Sequence, residues 1–321
     1  MSRILSLFKH CHIFLSKMMG GDSTAAKARS VTEKFQFGPW RCTSIKSHIL
    51  KSEGPDRERF ESQLELPQVP EMVFADNLLR LEHSAGFGLE FNALDALRLV
   101  DPRNDLLKVA VSDAWRQARS DCEHIKDVIK PFDWTYTTDY KGSLFGTNET
   151  QLKVEPTTER IDLEKLKKRD KIMFYEDMLL FEDELADNGT SELNVKIRIM
   201  PSSFFILLRL FMRVDGVMIR VNETRIYHEV DQDYILREYS SRDNQIKDLK
   251  VSPHLLTEPN EIVKHLTIRK EEFHKLIFPV INDTSDNTKQ SLLPDGQDPS
   301  QSTETKSQDT NITTSGGSGE S

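Results

Sequence analysis

The sequence has few cysteines and lacks the short motifs that mark common enzyme families. Its three cysteines, Cys11, Cys42 and Cys122, are an odd number and form no CxxC pair. We therefore expect no disulfide framework and no zinc ribbon, and infer a reducing compartment, the cytoplasm with the nucleus as a second location. The sequence also has no Walker A lysine motif, no GxSxG elbow and no HExxH motif. It therefore gives no motif for nucleotide, acyl-transfer or metalloprotease chemistry.

Long apolar runs and an excess of positive charge are missing as well. The 321 residues carry a formal net charge of −9, and 37% of them are hydrophobic. This acidic balance gives no reason to expect a nucleic-acid partner. The most apolar stretch is interrupted by Arg209, Arg213 and Asp215, so it falls short of the roughly 20 apolar residues of a membrane span. We predict no cofactor, no bound metal, no nucleic acid and no membrane partner.

The composition changes near both ends of the chain. Residues 1–33 begin with a largely apolar stretch and contain no acid before Asp22. A targeting segment and a dispensable extension both fit this pattern, and we favour the extension. Residues 282–321 are rich in Ser, Thr, Asp, Asn, Gln and Gly and contain no aromatic residue. They cannot bury enough surface to offset chain entropy, so we predict a folded domain at 34–281 followed by a disordered polar tail.

The most regular pattern in the chain covers residues 192–229. Residues 193–199 alternate strictly between apolar and polar side chains, which is typical of a strand with one buried face. A second apolar run at 204–214 leads into Asp215-Gly216, a pair favoured in two-residue type I′ hairpin turns. Such a turn would place Val214 opposite Val217 and put the apolar side chains of both strands on one face. We therefore predict an antiparallel hairpin with that register.

The rest of the body gives shorter signals. We predict strands at 78–83, 87–91, 134–138, 152–154 and 172–185, from their β-branched, aromatic or apolar residues and the turn residues that bound them. Asn92 is a suitable N-cap for a helix at 93–99 with Asp95 in its first turn, and Ser112 for a second helix. We further predict a short helix at 162–168 and partly helical structure at 258–278.

Several long strings together resemble one family. They are FGPW at 37–40, LPQVPEMVFADNLLRLEH at 66–83, GFGLEFNALDALR at 86–98, VIKPFDWTYTTDYKG at 128–142, VKIRIMPSSFFILLRLFMRVDGVMIR at 195–220 and LREYSSR at 236–242. This chain resembles the TIPRL family, the TOR signalling pathway regulators related to yeast Tip-forty-one, from about residue 35 to residue 278. The resemblance implies a single α+β domain with antiparallel β-sheets and short flanking helices, which agrees with the hairpin pattern.

The resemblance also implies a function. Members of this family are non-enzymatic regulators that bind catalytic subunits of type 2A-like serine/threonine protein phosphatases, including the type 4 and type 6 enzymes. They engage the phosphatase surface and its C-terminal tail and influence TOR-linked phosphorylation. Inhibition, support of enzyme biogenesis and storage of inactive enzyme are modes that the residues leave open. By resemblance, the partner-binding residues are Asp95, Ile161, Val221 and Tyr239.

Two other functions remain open at this level. The first is a hydrolase with a cleft around Asp95, Asp139 and His228, although His228 at a predicted strand end is more typical of a structural, hydrogen-bonded histidine. The second is a scaffold that binds other phosphatase regulatory subunits and not the catalytic subunit. Asp95 itself has a simpler explanation as a residue at a helix start, and Val221 as part of the core.

Overall fold

The computed structural model describes residues 30–101, 133–147 and 149–280. In this part of the chain, strands dominate and helices are short, which agrees with the predicted α+β class of antiparallel sheets and short flanking helices. The strands are β1 (Val31–Phe37), β2 (Trp40–Lys46), β3 (Met72–Val73), β4 (Leu78–His83), β5 (Gly88–Asn92), β6 (Ser143–Phe145), β7 (Lys153–Pro156), β8 (Phe174–Asp183), β9 (Gly189–Ile199), β10 (Ser203–Val214), β11 (Met218–Glu229), β12 (Tyr234–Gln245) and β13 (Thr267–Ile277). The α-helices are α1 (Pro55–Glu61), α2 (Ala93–Leu97), α3 (Leu163–Lys167) and α4 (Pro259–Ile262), and 3-10 turns occupy Ile246–Asp248, Pro253–Thr257 and Val263–His265.

The strands form two antiparallel sheets. The smaller sheet has the order β1-β2-β4-β5-β6, and the larger has the order β3-β8-β9-β10-β11-β12-β13-β7. From β8 to β13 each strand pairs with the next one along the chain. Such an antiparallel succession needs only short connections, which fits the closely spaced turn signals in this half of the sequence.

The main core lies between the two sheets and contains the alternate residues predicted for β9. Leu193, Val195, Ile197 and Ile199 are all buried. The core also holds the even-numbered residues of β10, and residues of β2, β4 and β5 in the smaller sheet join them there. We call this side of the larger sheet its inner face, and the opposite side its outer face.

The outer face carries two smaller apolar clusters, which explains why β10 and β11 are apolar on both sides. Near the β10–β11 turn, Phe211, Ile219 and Val221 pack against α4 and the turn that follows it. At the end of β11 that lies away from this turn, Ile161 packs with Tyr227 of β11 and Leu236 of β12. Apolar residues at successive positions of a strand therefore mark burial on both faces here.

The predicted hairpin exists, but its predicted register is wrong by one residue. Val214 pairs with Met218 and Phe211 with Val221, so Val217 lies in the turn and does not pair with Val214. Gly216 has a φ of 70°, whereas the φ of Asp215 is not positive. A type I′ turn requires positive φ at both positions, whereas a type II turn requires it only at the second. The backbone N–H of Val217 donates to the Val214 carbonyl at 3.0 Å and closes that turn.

The one-residue shift changes which side chains share a face. Leu210 and Ile219 are both buried, but the single apolar face predicted for the two strands is wrong. The two side chains lie on opposite faces of the larger sheet because Leu210 pairs with Asn222. Arg209 pairs with Glu223 and forms an ion pair with it at 2.6 Å. Arg213 pairs with Ile219 on the same outer face.

Most of the shorter predicted elements are confirmed. The strands predicted at 78–83, 87–91, 152–154 and 172–185 correspond to β4, β5, β7 and β8, and the helix at 162–168 corresponds to α3. Asn92 caps α2, which ends two residues earlier than predicted, by accepting a hydrogen bond from the backbone N–H of Asp95. The helix predicted from Ser112 lies outside the described residues, as do nearly all of the predicted N-terminal extension and polar tail.

One predicted element is wrong. Residues 134–138 are not a strand: Tyr136 has a φ of 53°, and the segment is held by hydrogen bonds from side chains of other elements. The partly helical structure predicted at 258–278 is confirmed: α4 and the 3-10 turn Val263–His265 lie in its first half. Its second half is β13, which pairs with β12. Within the described ranges, no helix is both long and apolar enough to span a membrane.

Two glycines test this backbone geometry because they differ in their surroundings. Gly216 has positive φ but open space around its Cα, whereas a Cβ on Gly189 would lie 1.9 Å from the carbonyl oxygen of Arg213. We expect Gly216→Ala to lower the free energy of unfolding by about 1–2 kcal/mol through backbone conformation alone. Gly189→Ala should cost more, because β9 and β10 would have to separate. Urea unfolding of both variants measures the difference, and equal losses would contradict the close approach at Gly189.

Candidate functional site

A cleft on the surface of the protein contains the predicted residue Asp95. It has a volume of about 590 Å³ and lies where α2 meets the segment that leads into β6. Its lining residues are Asp95, Arg98, Leu99, Asp139, Tyr140, Lys141, Gly142 and Ser143. We call it the Asp95 cleft.

Asp95 is fixed by contacts on both sides of the cleft. It accepts hydrogen bonds from Asn92 Nδ2 at 3.0 Å and from Ser143 Oγ at 2.5 Å. Arg98, one turn later on the same helix, donates to its other carboxylate oxygen at 3.0 Å. The Asp95 carboxylate therefore joins α2 to β6 and holds the two walls of the cleft together, in addition to lying at the start of the helix.

The opposite wall is an irregular segment held by the larger sheet. Asn222 Nδ2 of β11 donates to the carbonyl of Thr138 at 2.8 Å, and Ser191 Oγ of β9 donates to that of Thr135 at 2.6 Å. Thr138 Oγ1 donates in turn to the Ala96 carbonyl of α2 at 2.9 Å. These bonds replace the ladder of a strand, and they fix the position of Asp139 and Lys141.

Tyr239 lies behind the cleft and does not form its surface. Its side chain is buried on β12, with Lys141 Nζ 4.5 Å from the ring centroid. Lys141 also forms ion pairs with Asp139 at 3.4 Å and with Glu272 at 3.2 Å. Burial, with the nearby Asp139 carboxylate, raises the pKa of Tyr239, so its hydroxyl stays neutral at physiological pH. The Tyr239 ring therefore packs against the Lys141 ammonium group and stabilises its position through a cation–π contact.

Ile161 and Val221 lie on the outer face of the larger sheet. Ile161 is 4% exposed and Val221 is fully buried. Thr224 pairs with Tyr239, and Val221 is three residues from Thr224 on the same strand, so Val221 and Tyr239 occupy opposite faces. The structure therefore brings Asp95 and Tyr239 together on one side of the sheet, and places Ile161 and Val221 in two separate clusters on the other.

The three residues of the hydrolase alternative are not brought together. Asp95 and Asp139 line the same cleft. His228 is 1% exposed and packs among Trp40, Phe204 and Phe278. Its Nδ1 contacts the Tyr234 carbonyl at 2.9 Å, as expected for a structural histidine. Within the part of the chain that the structure describes, no group of three His, Cys, Asp or Glu side chains is arranged to hold a metal ion.

Exposed residues of the cleft were missed by the sequence reasoning. Leu99 is 52% exposed two residues beyond the end of α2, next to the half-exposed Arg98. Within the predicted helix at 93–99, Leu99 is indistinguishable from a core leucine. Its exposure follows from the end of the helix at Leu97, which the sequence did not indicate.

Comparison with known proteins assigns the chain to a family. Residues 72–250 match the model of the TIP41-like family. The TIP41-like protein of Homo sapiens is 57% identical over 246 residues, which cover 76% of this chain and 89% of the human protein. That of Rattus norvegicus is 56% identical over 252 residues, with 78% and 92% covered. The chain belongs to the TIP41-like family, as the resemblance indicated.

More distant relatives carry a functional name. A protein of Saccharomyces cerevisiae named "Type 2A phosphatase activator TIP41" is 39% identical over 237 residues, which cover 69% of this chain and 65% of the yeast protein. The equally named protein of Schizosaccharomyces pombe is 32% identical over 254 residues, with 77% and 98% covered. These names describe the two yeast proteins.

The burial of His228 determines how the free energy of unfolding should depend on pH. Burial lowers the pKa of His228 below its ordinary value of 6.5, and burial lowers that of His83 as well. As the pH falls through 6.5, these histidines take up protons in the unfolded chain but stay neutral in the native state. The free energy of unfolding should therefore fall as the pH is lowered from about 7.5 to about 5.5. Urea unfolding at the two pH values measures this change.

The control for this pH dependence is His228→Phe. The variant keeps an aromatic ring in the cluster but loses the titrating group and the hydrogen bond to Tyr234. Its unfolding free energy should be lower at neutral pH and should change less with pH than that of the wild type. The same pH dependence in both proteins would show that His228 does not carry the effect.

Proposed function

We propose that this protein is a non-enzymatic regulator that binds the catalytic subunits of type 2A-like protein phosphatases, with the type 2A, type 4 and type 6 enzymes as partners, and modulates their activity in TOR signalling. The observation that carries this proposal is family membership together with the names of the two yeast relatives, type 2A phosphatase activators. Those names favour activation over inhibition as the outcome of binding. The cytoplasm, with the nucleus as a second location, is where we place this activity.

The Asp95 cleft is the surface that we propose for the contact. It presents an exposed leucine, Leu99, beside the half-exposed charged side chains of Arg98 and Asp139. An apolar side chain surrounded by charged groups is a common composition for a binding site, because the apolar contact supplies affinity and the charges set orientation. Tyr239 is buried and would contribute to binding by holding Lys141 in place. Ile161 and Val221 are also buried and would contribute by stabilising the outer face of the larger sheet.

A binding assay with purified components tests the partner. The full chain is immobilised and incubated with purified type 2A catalytic subunit, either intact or without its C-terminal tail. We expect capture of the intact subunit and weaker capture of the truncated one. Capture of neither form, with binding of a phosphatase regulatory subunit in its place, would favour the scaffold alternative.

Substitutions in the cleft test the surface. We expect Asp95→Lys to weaken binding at least several-fold, because it removes the acceptor for Ser143 and Asn92 and adds a second positive charge beside Arg98. Leu99→Asp should have a similar effect, since Leu99 is exposed and its replacement leaves the network of Asp95 intact. Binding is measured by isothermal titration calorimetry, and circular dichroism checks that each variant is folded.

Two variants elsewhere provide matched controls. Asp56 lies in the first turn of α1 and pairs with Arg59 three residues later, as Asp95 does with Arg98. Leu163 is 48% exposed at the start of α3. Asp56→Lys and Leu163→Asp should bind like the wild type. If folded Asp95→Lys and Leu99→Asp also bind like the wild type, the cleft is not the contact surface.

A further inference from the structure

A second cavity, on the outer side of the larger sheet, is rich in positive charge. It has a volume of about 440 Å³ and lies between the segment around α3 and the ends of β9, β10 and β11. Its lining residues are Lys165, Leu166, Lys168, Arg169, Asp170, Ile172, Arg198, Met200, Ser202, Ser203, Tyr227 and Glu229. We call it the basic cavity, and it is separate from the lining of the Asp95 cleft.

The charge of this cavity is opposite to that of the whole chain. Four cationic side chains and two carboxylates line it, which leaves a net charge of +2 in a protein of net charge −9. One pair is already neutralised, because Lys165 Nζ lies 2.5 Å from Glu229, which also accepts a hydrogen bond from Tyr227. The hydrogen bond from Lys165 lowers the pKa of Glu229, so this carboxylate is ionised and its charge is balanced by Lys165.

Arg198 is the innermost of the remaining cations. Its Nη2 donates to the Leu166 carbonyl at 3.1 Å, and its guanidinium lies 5.3 Å from the centroid of the Phe205 ring. Its Nε is buried and has no hydrogen-bond partner among the residues that the structure describes. No ion pair joins Arg198, Lys168 or Arg169 to a carboxylate within the described ranges. A half-buried arginine without an anionic partner is costly unless an anion binds beside it.

We propose that the basic cavity binds a phosphorylated segment of a partner polypeptide, with Lys168 and Arg169 at the rim and Arg198 inside as the phosphate contacts. A phosphate monoester carries a charge of about −1.5 to −2 at neutral pH, which matches the net charge of the cavity better than one carboxylate does. Arginine and lysine are the side chains that recognise phosphate oxygens through charge-assisted hydrogen bonds.

The surroundings of the cavity favour a peptide over a small phosphate compound. Leu166 and Met200 contribute apolar wall, and exposed apolar side chains continue from the cavity through Ile172 and Met173, just before β8, to Tyr175 near the start of that strand. Ile172 and Tyr175 are three residues apart, which corresponds to at most about 10 Å of extended chain. A free phosphate would leave this apolar rim uncovered, whereas residues flanking a phosphoserine would cover it. The inference does not depend on phosphatase binding, since the two sites have different linings.

Binding of defined probes to the full chain tests this proposal. The probes are a short fluorescein-labelled peptide with a central phosphoserine flanked by leucines, its unphosphorylated form, its glutamate form, and inorganic phosphate as a competitor. We expect the phosphopeptide to bind at least about ten-fold more tightly than the other two peptides, as read by fluorescence anisotropy. Inorganic phosphate should compete, and the affinity should fall as salt is raised.

Variants of neighbouring lysines and arginines provide the control. Lys168→Gln combined with Arg169→Gln should reduce phosphopeptide affinity at least about ten-fold, and both side chains are exposed, so folding is preserved. Lys167→Gln changes the adjacent residue, which pairs with Glu164 and does not line the cavity, and it should bind like the wild type.

Three results would overturn the proposal. One is equal binding of the phosphorylated, unphosphorylated and glutamate peptides. Another is phosphopeptide binding that Lys168→Gln with Arg169→Gln leaves unchanged. The third is binding of inorganic phosphate without measurable binding of the phosphopeptide, which would make the cavity a site for a small anion. None of these results would bear on phosphatase binding at the Asp95 cleft, which is measured with the catalytic subunit.

Discussion

The packing of the inner face of β10 against the smaller sheet is the interaction on which the rest of the structure depends. The even-numbered side chains of this strand are buried from Phe204 to Val214, and the rings of Phe37 and Trp40 from the smaller sheet reach Phe204. A shift of β10 by one residue would move this whole row from the inner face to the outer face. The register of β10 therefore fixes β9 on one side and β11 on the other, and β11 carries Asn222, which holds one wall of the Asp95 cleft.

The sequence predicts the strands of this fold well and their pairing less well. Alternation identifies β9 because only one of its faces is apolar. β10 and β11 are apolar on both faces near their shared turn, so two registers satisfy the pattern equally, and the turn type decides between them. The difference between a type I′ and a type II turn at Asp215-Gly216 depends on the φ of Asp215, which residue identity does not determine.

The Asp95 cleft could be predicted only in part, because only some of its contacts are local in the sequence. Asn92 and Asp95 follow a local capping rule, and the structure confirms that Asn92 caps the helix. The segment at 134–138 has the composition of a strand, but distant side chains such as Ser191 and Asn222 hold its carbonyls, and no local pattern shows such contacts. Burial of Tyr239, Ile161 and Val221 likewise follows from packing between elements that are far apart in the chain. The larger sheet lies between the Asp95 cleft and the basic cavity, so the two proposed binding sites have no lining residue in common.

Hydrogen exchange tests the central claim, that the Asp95 cleft contacts the phosphatase, without changing any residue. Amide exchange of the full chain is measured by mass spectrometry, alone and with saturating type 2A catalytic subunit. We predict slower exchange in peptides that cover residues 95–99 and 139–143, and unchanged exchange in α1 and in the turn at Asp215-Gly216. Slower exchange confined to other parts of the chain, with no change at the Asp95 cleft, would contradict the proposed contact.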